Sequence, residues 1–387
     1  MPDPQRPLRI TSLTLREISL TLKEPFQISS GIQSQRRILL IQLRSAEGVE
    51  AWGECVAGEN PNYASETIDT SWWAIREHVA PRVLGQSFAR PEEIHPALEV
   101  NFRGHNMAKG AVEMAAWALA AETEGVSLAR KIRAGLGRER EGRDAIEVGI
   151  SLGIQASPEA LVEKARGALE RGYKKVKIKI KPGMDEAFLG AAREALGPDA
   201  PLMADANNAY TLADLDRLKR IDRLGLLMIE QPLAWDDLLR HAELQKHLDT
   251  PLCLDESITS LDRAEDMIAL KSGRIVNIKP GRVGGFSQSL AIHDLCERAG
   301  IPVWCGGMLE SGIGRAHNVA LASLPNFTLP GDVSPSERYW EKDVVIPEWT
   351  MDWQGRIQVP VDRRGLGIEV DFNRVDDLTV RREEIRA

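Results

Sequence analysis

Five ionisable residues recur along the middle of this 387-residue chain at a nearly constant interval. Asp205 follows Lys179 by 26 residues, Glu230 follows Asp205 by 25, Asp255 follows Glu230 by 25, and Lys279 follows Asp255 by 24. Three carboxylates brought to one point repel one another unless they are protonated or neutralised. The economical solution is a hard divalent cation with oxygen ligands, magnesium or a similar ion such as manganese, which keeps positions open for water or substrate oxygens. No Cys or His occupies these positions, so zinc is not indicated. The two lysines flank the acids in the chain. An amine on each face of a metal-bound carboxylate suggests proton abstraction α to that carboxylate, with the enolate stabilised as charge develops. Two bases on opposite faces allow racemisation, and one base facing a leaving group allows β-elimination. A base must be neutral. Nearby cations and desolvation lower a lysine's pKa while carboxylates raise it, so spacing alone leaves the balance open.

Something must carry these residues to one place. After about Arg143, short apolar runs alternate with helix-like segments. The runs are IEVGISLGI (146–154), KVKIKI (175–180), PLMAD (201–205), LLMIE (226–230), PLCLD (251–255), RIVNIK (274–279), PVWCG (302–306) and NFTLPGD (326–332). Intervening stretches such as SPEALVEKARGALERG start on a Ser cap and end near Gly. Eight strands alternating with helices predict an α/β fold, a (β/α)8-type, TIM-like barrel. Each of the five charged residues then falls at or near the C-terminal end of a strand, the end that carries active sites in such barrels. An open doubly wound sheet is the alternative, but its phosphate fingerprints, GxGxxG after the first strand or GxxxxGK[ST], are absent.

In VKIKIKPG the side chains alternate, so Lys177, Lys179 and Lys181 share one face of a strand. Alone, this could be a solvated edge strand, and any single acid could be a helix N-cap. The shared period favours the site. The glycine-rich PGRVGG and CGGMLESGIG segments resemble a barrel phosphate site, but no Arg or Lys pattern completes one. The histidines, His317 included, show no triad or ligand spacing.

Residues from Leu8 to about Ala57 read as β, with RRILLIQLRSAEGVEAWGE forming two strands around a turn near Glu47-Gly48. From Tyr63 to about Leu136 the pattern is helical, and MAKGAVEMAAWALAAETEG stops at Gly125. This predicts an N-terminal α+β domain over 1–143, a barrel over 144–340 and a C-terminal segment over 341–387. The chain has 49 Lys+Arg and 57 Asp+Glu, a net charge of −8, which argues against a nucleic-acid partner. No apolar run is long enough to span a bilayer, and the N-terminus lacks the apolar core of a signal peptide. Cys55, Cys253, Cys296 and Cys305 form no CxxC pair and are expected as buried free thiols in a reducing cytoplasm.

The segments VKIKIKPG, ADANNAYT, IEQPLAWDDL, CLDES, NIKPGRVGG and WCGGMLESGIGRAHNVALASLPNFTLPGD resemble the enolase superfamily, in its N-acylamino acid racemase / o-succinylbenzoate synthase group. Enolase-type sites are a standard example of a Lys or His base working with one or two Mg²⁺ ions. The resemblance covers essentially the whole chain. It implies a barrel covered by a capping domain that the C-terminal tail completes. It implies Lys179 and Lys279 as acid/base pair, Asp205, Glu230 and Asp255 as metal ligands, and Lys177 as a partner of the substrate carboxylate. Asn207 and Glu256 fall where supporting polar residues are expected. Gly306, Gly307, Met308 and Glu310 would line the acyl side of the pocket. Loops around Phe26–Ile32 and Glu54–Tyr63 would close over the substrate, with Phe26 and Tyr63 as contacts.

The implied function is Mg²⁺-dependent racemisation of N-succinyl or other N-acyl amino acids, with dehydration to o-succinylbenzoate, a precursor in menaquinone synthesis. The substrate is a small carboxylate, and a homo-oligomer is the default for such enzymes. Mandelate racemase-like branches place a His–Asp pair where this chain has Lys279 and WCGGM. Dipeptide epimerases and muconate cycloisomerases share the lysine layout. The epimerases typically carry Asp-x-Asp after the last strand, where this chain has Gly331-Asp332-Val333-Ser334. A barrel that binds a metabolite without catalysis is the alternative from another class, and the intact K-D-E-D-K set speaks against it. One departure from the pattern is Pro280, directly after Lys279, where a small apolar residue is expected.

Overall fold

The computed structural model describes residues 7–28 and 31–387. A long antiparallel hairpin opens the chain: β1 (Leu8–Ile28) pairs with β2 (Gly31–Ser45), which pairs with β3 (Glu50–Cys55) across a turn where Gly48 takes a φ of 82°. Only glycine adopts that backbone at no steric cost. Helix α1 (Asn106–Glu124) packs on this sheet. Gly53 of β3 allows the close approach, since a Cβ there would lie 2.3 Å from the Ala111 carbonyl oxygen. The helix is buried on all sides along most of its length and ends at Gly125, as its sequence predicts.

The second half is a parallel sheet in strictly sequential order. Its strands are β5 (Gly149–Leu152), preceded by the short β4 (Ala145–Glu147), then β6 (Lys175–Lys179), β7 (Leu202–Asp205), β8 (Ile229–Glu230), β9 (Leu252–Leu254), β10 (Ile275–Ile278) and β11 (Val303–Cys305). Two sequence expectations are corrected here. IEVGISLGI is not one strand, because the Val148 N–H turns away to the Gly355 carbonyl and β4 pairs antiparallel with β12 (Arg356–Gln358). NFTLPGD is not an eighth strand either. Pro330 has no N–H to give a ladder, so the segment closes the ring through scattered backbone bonds. Val303 N–H donates to Asn326 O (3.2 Å), Asp332 N–H to Cys305 O (2.9 Å) and Gly149 N–H to Gly331 O (2.6 Å). Gly331 is needed for this approach, as a Cβ would meet Cys305 O at 2.8 Å.

The bore holds a separate apolar cluster of Met203, Met228, Cys253, Ile275 and Trp304, each from a different barrel segment. This matches inward-pointing side chains filling a barrel in layers. Two helices that follow barrel strands matter for the site, α2 (Phe286–Arg298) after β10 and α3 (Gly312–Ala322) after β11. The chain ends by returning to its beginning: β13 (Thr379–Arg386) pairs antiparallel with β1, giving the sheet order β13-β1-β2-β3. All four cysteines are buried free thiols.

Candidate active site

Strand β6 is interior to the sheet, so its lysines do not face water. Lys175, Lys177 and Lys179 are all buried and, two residues apart, share the face turned into the bore. They meet the acids carried by the next strands. Lys179 Nζ donates to Asp205 Oδ2 (2.6 Å) and to Asn207 Oδ1 (2.7 Å). Lys177 Nζ lies 3.1 Å from both Asp205 Oδ2 and Glu230 Oε2, and 2.7 Å from Asp332 Oδ2. From the other side, Lys279 Nζ donates to Asp255 Oδ2 (2.7 Å) and to Tyr63 Oη (3.2 Å). The Tyr63 hydroxyl donates to Asp255 Oδ1 (2.9 Å). The K-D-E-D-K residues thus form one buried charge network at the barrel's C-terminal end.

Pro280 does not disturb Lys279. It is the first residue of a one-turn helix, Pro280–Val283, where a missing N–H costs nothing, and it holds Lys279 in the extended conformation at φ −113° and ψ 110°. Gly306 gives the lysine room, since a Cβ there would lie 2.6 Å from Lys279 Cε.

Above the network is a cavity of about 490 Å³ between the barrel mouth and the N-terminal sheet. Phe26, Tyr63, Lys179, Asn207, Lys279, Gly307 and Met308 line it. Ser29 and Ser30 of the Phe26–Ile32 loop lie outside the described residues. Lys177, Gly306, Glu310, Glu256 and the three acids do not line the cavity. Lys177 is sequestered below by its three carboxylate partners. Glu310 is turned aside, its Oε1 accepting from Asn318 Nδ2 (2.8 Å). Glu256 accepts from Asn207 Nδ2 (3.2 Å) and Asn208 Nδ2 (3.3 Å), while its Oε2 is buried without a hydrogen-bond partner among the described residues.

The electrostatics show what the acids need. Burial, then the neighbouring Asp205 charge, pushes the Glu230 carboxyl up to about 8. Burial raises Glu256 to about 7, with Asp255 and Asp205 adding to it. Asp255 is held below the usual carboxylate range: burial opposes this, but Lys279 and Arg282 outweigh it. Burial pulls the Lys279 ammonium down, and Asp255 more than reverses that, leaving it well above ordinary lysine. Burial opposes the charged form at Asp205 too, but Lys179 and Lys177 hold that carboxyl low, so Glu230 is the one of the three left raised, and their buried all-oxygen donor set fits a hard divalent cation. Among the described residues, only His293, Asp294 and Glu297 bring three potential donors within 4.8 Å of one another. That group is already filled, with Arg140 and Arg138 on Asp294, Arg138 on Glu297, and His293 Nε2 accepting from Asn326 N–H. The three mouth acids stand wider apart, with lysine ammoniums among them.

Sequence reasoning missed three members of the network. Asn277 donates to Glu230 Oε1 (2.7 Å), and Lys175 has its Nζ 3.4 Å from the Trp304 ring centroid and 3.5 Å from Asp332 Oδ1. Both stand two residues before a recognised lysine, so strand alternation would have found them. Arg282, buried and ion-paired with Asp255, left no such signal.

Residues 160–375 match the family described as enolase C-terminal domain-like, and residues 10–132 match the mandelate racemase / muconate lactonizing enzyme N-terminal domain. The chain belongs to the enolase superfamily. It is 46% identical over 372 residues to an o-succinylbenzoate synthase of Geobacillus stearothermophilus, covering 96% of each chain. It is 48% identical over 373 residues to an N-succinylamino acid racemase of Thermus thermophilus, covering 96% of this chain and 98% of the relative. A solved enolase-superfamily structure from Listeria innocua superposes with a TM-score of 0.92 at 39% identity, over 98% of this chain and 99% of the other. These relatives place the chain in the o-succinylbenzoate synthase / N-acylamino acid racemase group of the superfamily, as an enzyme. Superfamily enzymes generally work with a divalent metal, and the donor set described above suits one. No described helix is long and apolar enough to cross a membrane.

Proposed function

We propose that this enzyme racemises N-succinyl and related N-acyl amino acids and also dehydrates the precursor of o-succinylbenzoate, the second activity serving menaquinone synthesis. The observation that carries this reading is the pair of cavity-lining amines, Lys179 and Lys279, raised on β6 and just after β10 with the three acids on the strands between them. Asp205, Glu230 and Asp255 would hold Mg²⁺, or Mn²⁺ in its place, which supplies positive charge beside the substrate carboxylate and draws on the acid charge that now holds Lys279 protonated.

The chain's own groups do the proton work. In racemisation one lysine takes the α-proton and the other returns a proton to the opposite face, their roles exchanging with the direction of reaction. In dehydration Lys179 takes the α-proton and then protonates the departing hydroxyl, so water leaves as the double bond forms. Lys279 stays cationic there and stabilises the enolate. Asn207 orients Lys179 through its 2.7 Å bond. Tyr63 orients Lys279 and, with Phe26, covers the substrate. Lys177 keeps the lower side of Asp205 and Glu230 neutralised, Glu256 supports Asn207, and Gly307 and Met308 flank the acyl arm. Gly306 contributes space for Lys279, and Glu310 acts from behind that wall.

An acylated nitrogen suits the site better than a free ammonium. Asp332, the one acid in Gly331-Asp332-Val333-Ser334, is already committed to Lys177 and does not reach the cavity. Residues 1–143 and the 341–387 tail would form the cap, the enzyme would work in the cytoplasm, and it would assemble as a homo-oligomer. The test is solvent exchange: protein and Mg²⁺ in D₂O with N-succinyl amino acids, followed by NMR, should wash out the α-proton signal. Retention of that signal with every N-acyl amino acid tried would refute the reading.

A further inference from the structure

Three cationic residues line the cavity among the described residues: Lys179, Lys279 and Arg36. The two lysines are tied to Asp205 and Asp255. Arg36 differs. It comes from β2, on the wall opposite the barrel, and is only 2% exposed. Its Nη1 donates to Ala57 O (2.9 Å) and its Nη2 to Val56 O (2.8 Å), which fixes the plane of the guanidinium, while its Nε is buried with no partner among the described residues. Among the described residues no carboxylate pairs with it. Glu54 and Glu310 are the acids whose charges bear on it most, but Glu54 spends its oxygens on Ser311 and Gly314, and Glu310 gives Oε1 to Asn318 while its Oε2 makes no hydrogen bond, to Arg36 or otherwise, among the described residues. Glu59, also on the cavity wall, is exposed and makes no ion pair with it. A buried, rigidly held guanidinium with donors to spare is a costly feature unless an anion completes it.

We infer that Arg36 is the specificity-determining residue for the acyl arm, receiving a second carboxylate at the end of the substrate remote from the reacting carbon. This rests on the function proposed above and deepens it. The α-carboxylate stays at the barrel mouth, and the distal carboxylate of a succinyl arm lies against the cap. Recognition of this kind, a planar fork matched to a carboxylate, is what arginine does better than lysine. A neutral acyl arm leaves the guanidinium uncompensated, so the site prefers dicarboxylate substrates through the cap rather than through the reacting groups. The N-succinyl amino acids and the o-succinylbenzoate precursor share this distal carboxylate.

The experiment compares N-succinyl-methionine with N-pentanoyl-methionine, an arm of similar length without the charge, in wild-type enzyme, Arg36→Met and Arg36→Lys. Wild type should prefer the succinyl substrate in kcat/KM. Arg36→Met should lower the succinyl-to-pentanoyl ratio tenfold or more, mostly through KM, and Arg36→Lys should recover part of that ratio. An equal loss on both substrates would show a structural role only and overturn the inference. So would an unchanged ratio. Should Arg36→Met fail to fold, wild type still decides, because equal handling of the two arms by the native enzyme overturns it without any variant. Wild-type turnover of N-acyl substrates with no Arg36 effect sinks this inference alone, whereas wild-type inertness toward all of them takes the proposed function down with it.

Discussion

Two groups of buried carboxylates in this enzyme are neutralised differently. At the barrel mouth, Asp205, Glu230 and Asp255 are met by side chains: Lys177, Lys179, Lys279, Arg282 and Asn277. Along the seam between the N-terminal layer and the barrel, the partners are mostly backbone amides. Glu113 of α1 accepts from Phe286 N–H (2.7 Å) and Ser287 N–H (2.9 Å) at the start of α2, with Ser287 Oγ and Trp117 Nε1 completing the set. Glu54 of β3 accepts from Ser311 N–H, Ser311 Oγ and Gly314 N–H at the start of α3. Helix N-termini leave their first amides unsatisfied and carry partial positive charge, so a carboxylate there is held by groups that cannot move away. Lysine ammoniums on flexible stems can rotate out and let another cation or a substrate take their place. The mouth is built so that its charges can be reassigned, and the seam so that they cannot.

The largest effect expected from this contrast is on chemistry. Lys279→Ala should lower racemisation by about 10³-fold or more, the scale of losing a general acid/base. Polarimetry of N-succinyl amino acids checks it, and full racemase activity in the variant would contradict the two-base assignment. Next is a crossed pair of substitutions. Glu230→Gln should cost about 10²-fold or more in activity if Glu230 is the metal ligand proposed, yet leave chelator-treated protein no less stable, because it removes a carboxyl raised by burial and by Asp205. Glu113→Ala should do the opposite, keeping most activity while losing about 2–4 kcal/mol, since it orphans buried amides. Urea denaturation and steady-state rates on both variants test the pair, and similar profiles would erase the distinction between mouth and seam. Prolonged chelation should likewise abolish exchange and leave the fold intact by circular dichroism.

The smallest effect is in pH. Burial lifts Glu113 to about 7 and Glu54 to about 8 despite their amide donors. Each therefore binds its proton more tightly when folded than when unfolded, where its pKa is about 4.5. Their contribution is complete below that unfolded value and is lost as pH rises through about 7 and 8. Stability should fall between pH 5 and pH 8, and Glu113→Gln should flatten part of that slope. A slope unchanged in Glu113→Gln would mean that the seam carboxylate is ionised throughout.

Most of the mouth was legible without coordinates. The 24-to-26-residue period placed five charged residues at successive strand ends, and the strands are where the pattern predicts. Where the reading went wrong, the cause was long-range. NFTLPGD has the composition of a strand, but closing a ring requires backbone bonds to segments far away in the chain, and Pro330 denies it a ladder. Gly306 and Glu310 belong to a segment next to the site, yet only packing decides that one makes room for Lys279 and the other turns toward Asn318.

The sequence by itself determined which residues share a face, because strand alternation and the repeat length are local properties of the backbone. It thereby determined the lysine–carboxylate set and the chemistry open to it. The tertiary structure alone decided who neutralises whom. That Lys177 is held down by Asp332, that Arg282 reaches Asp255, and that Arg36 faces the cavity without a carboxylate partner among the described residues all depend on side chains from distant segments meeting in a medium of low dielectric. There, distances of a few ångströms set the charge balance, and no local pattern in the chain encodes them.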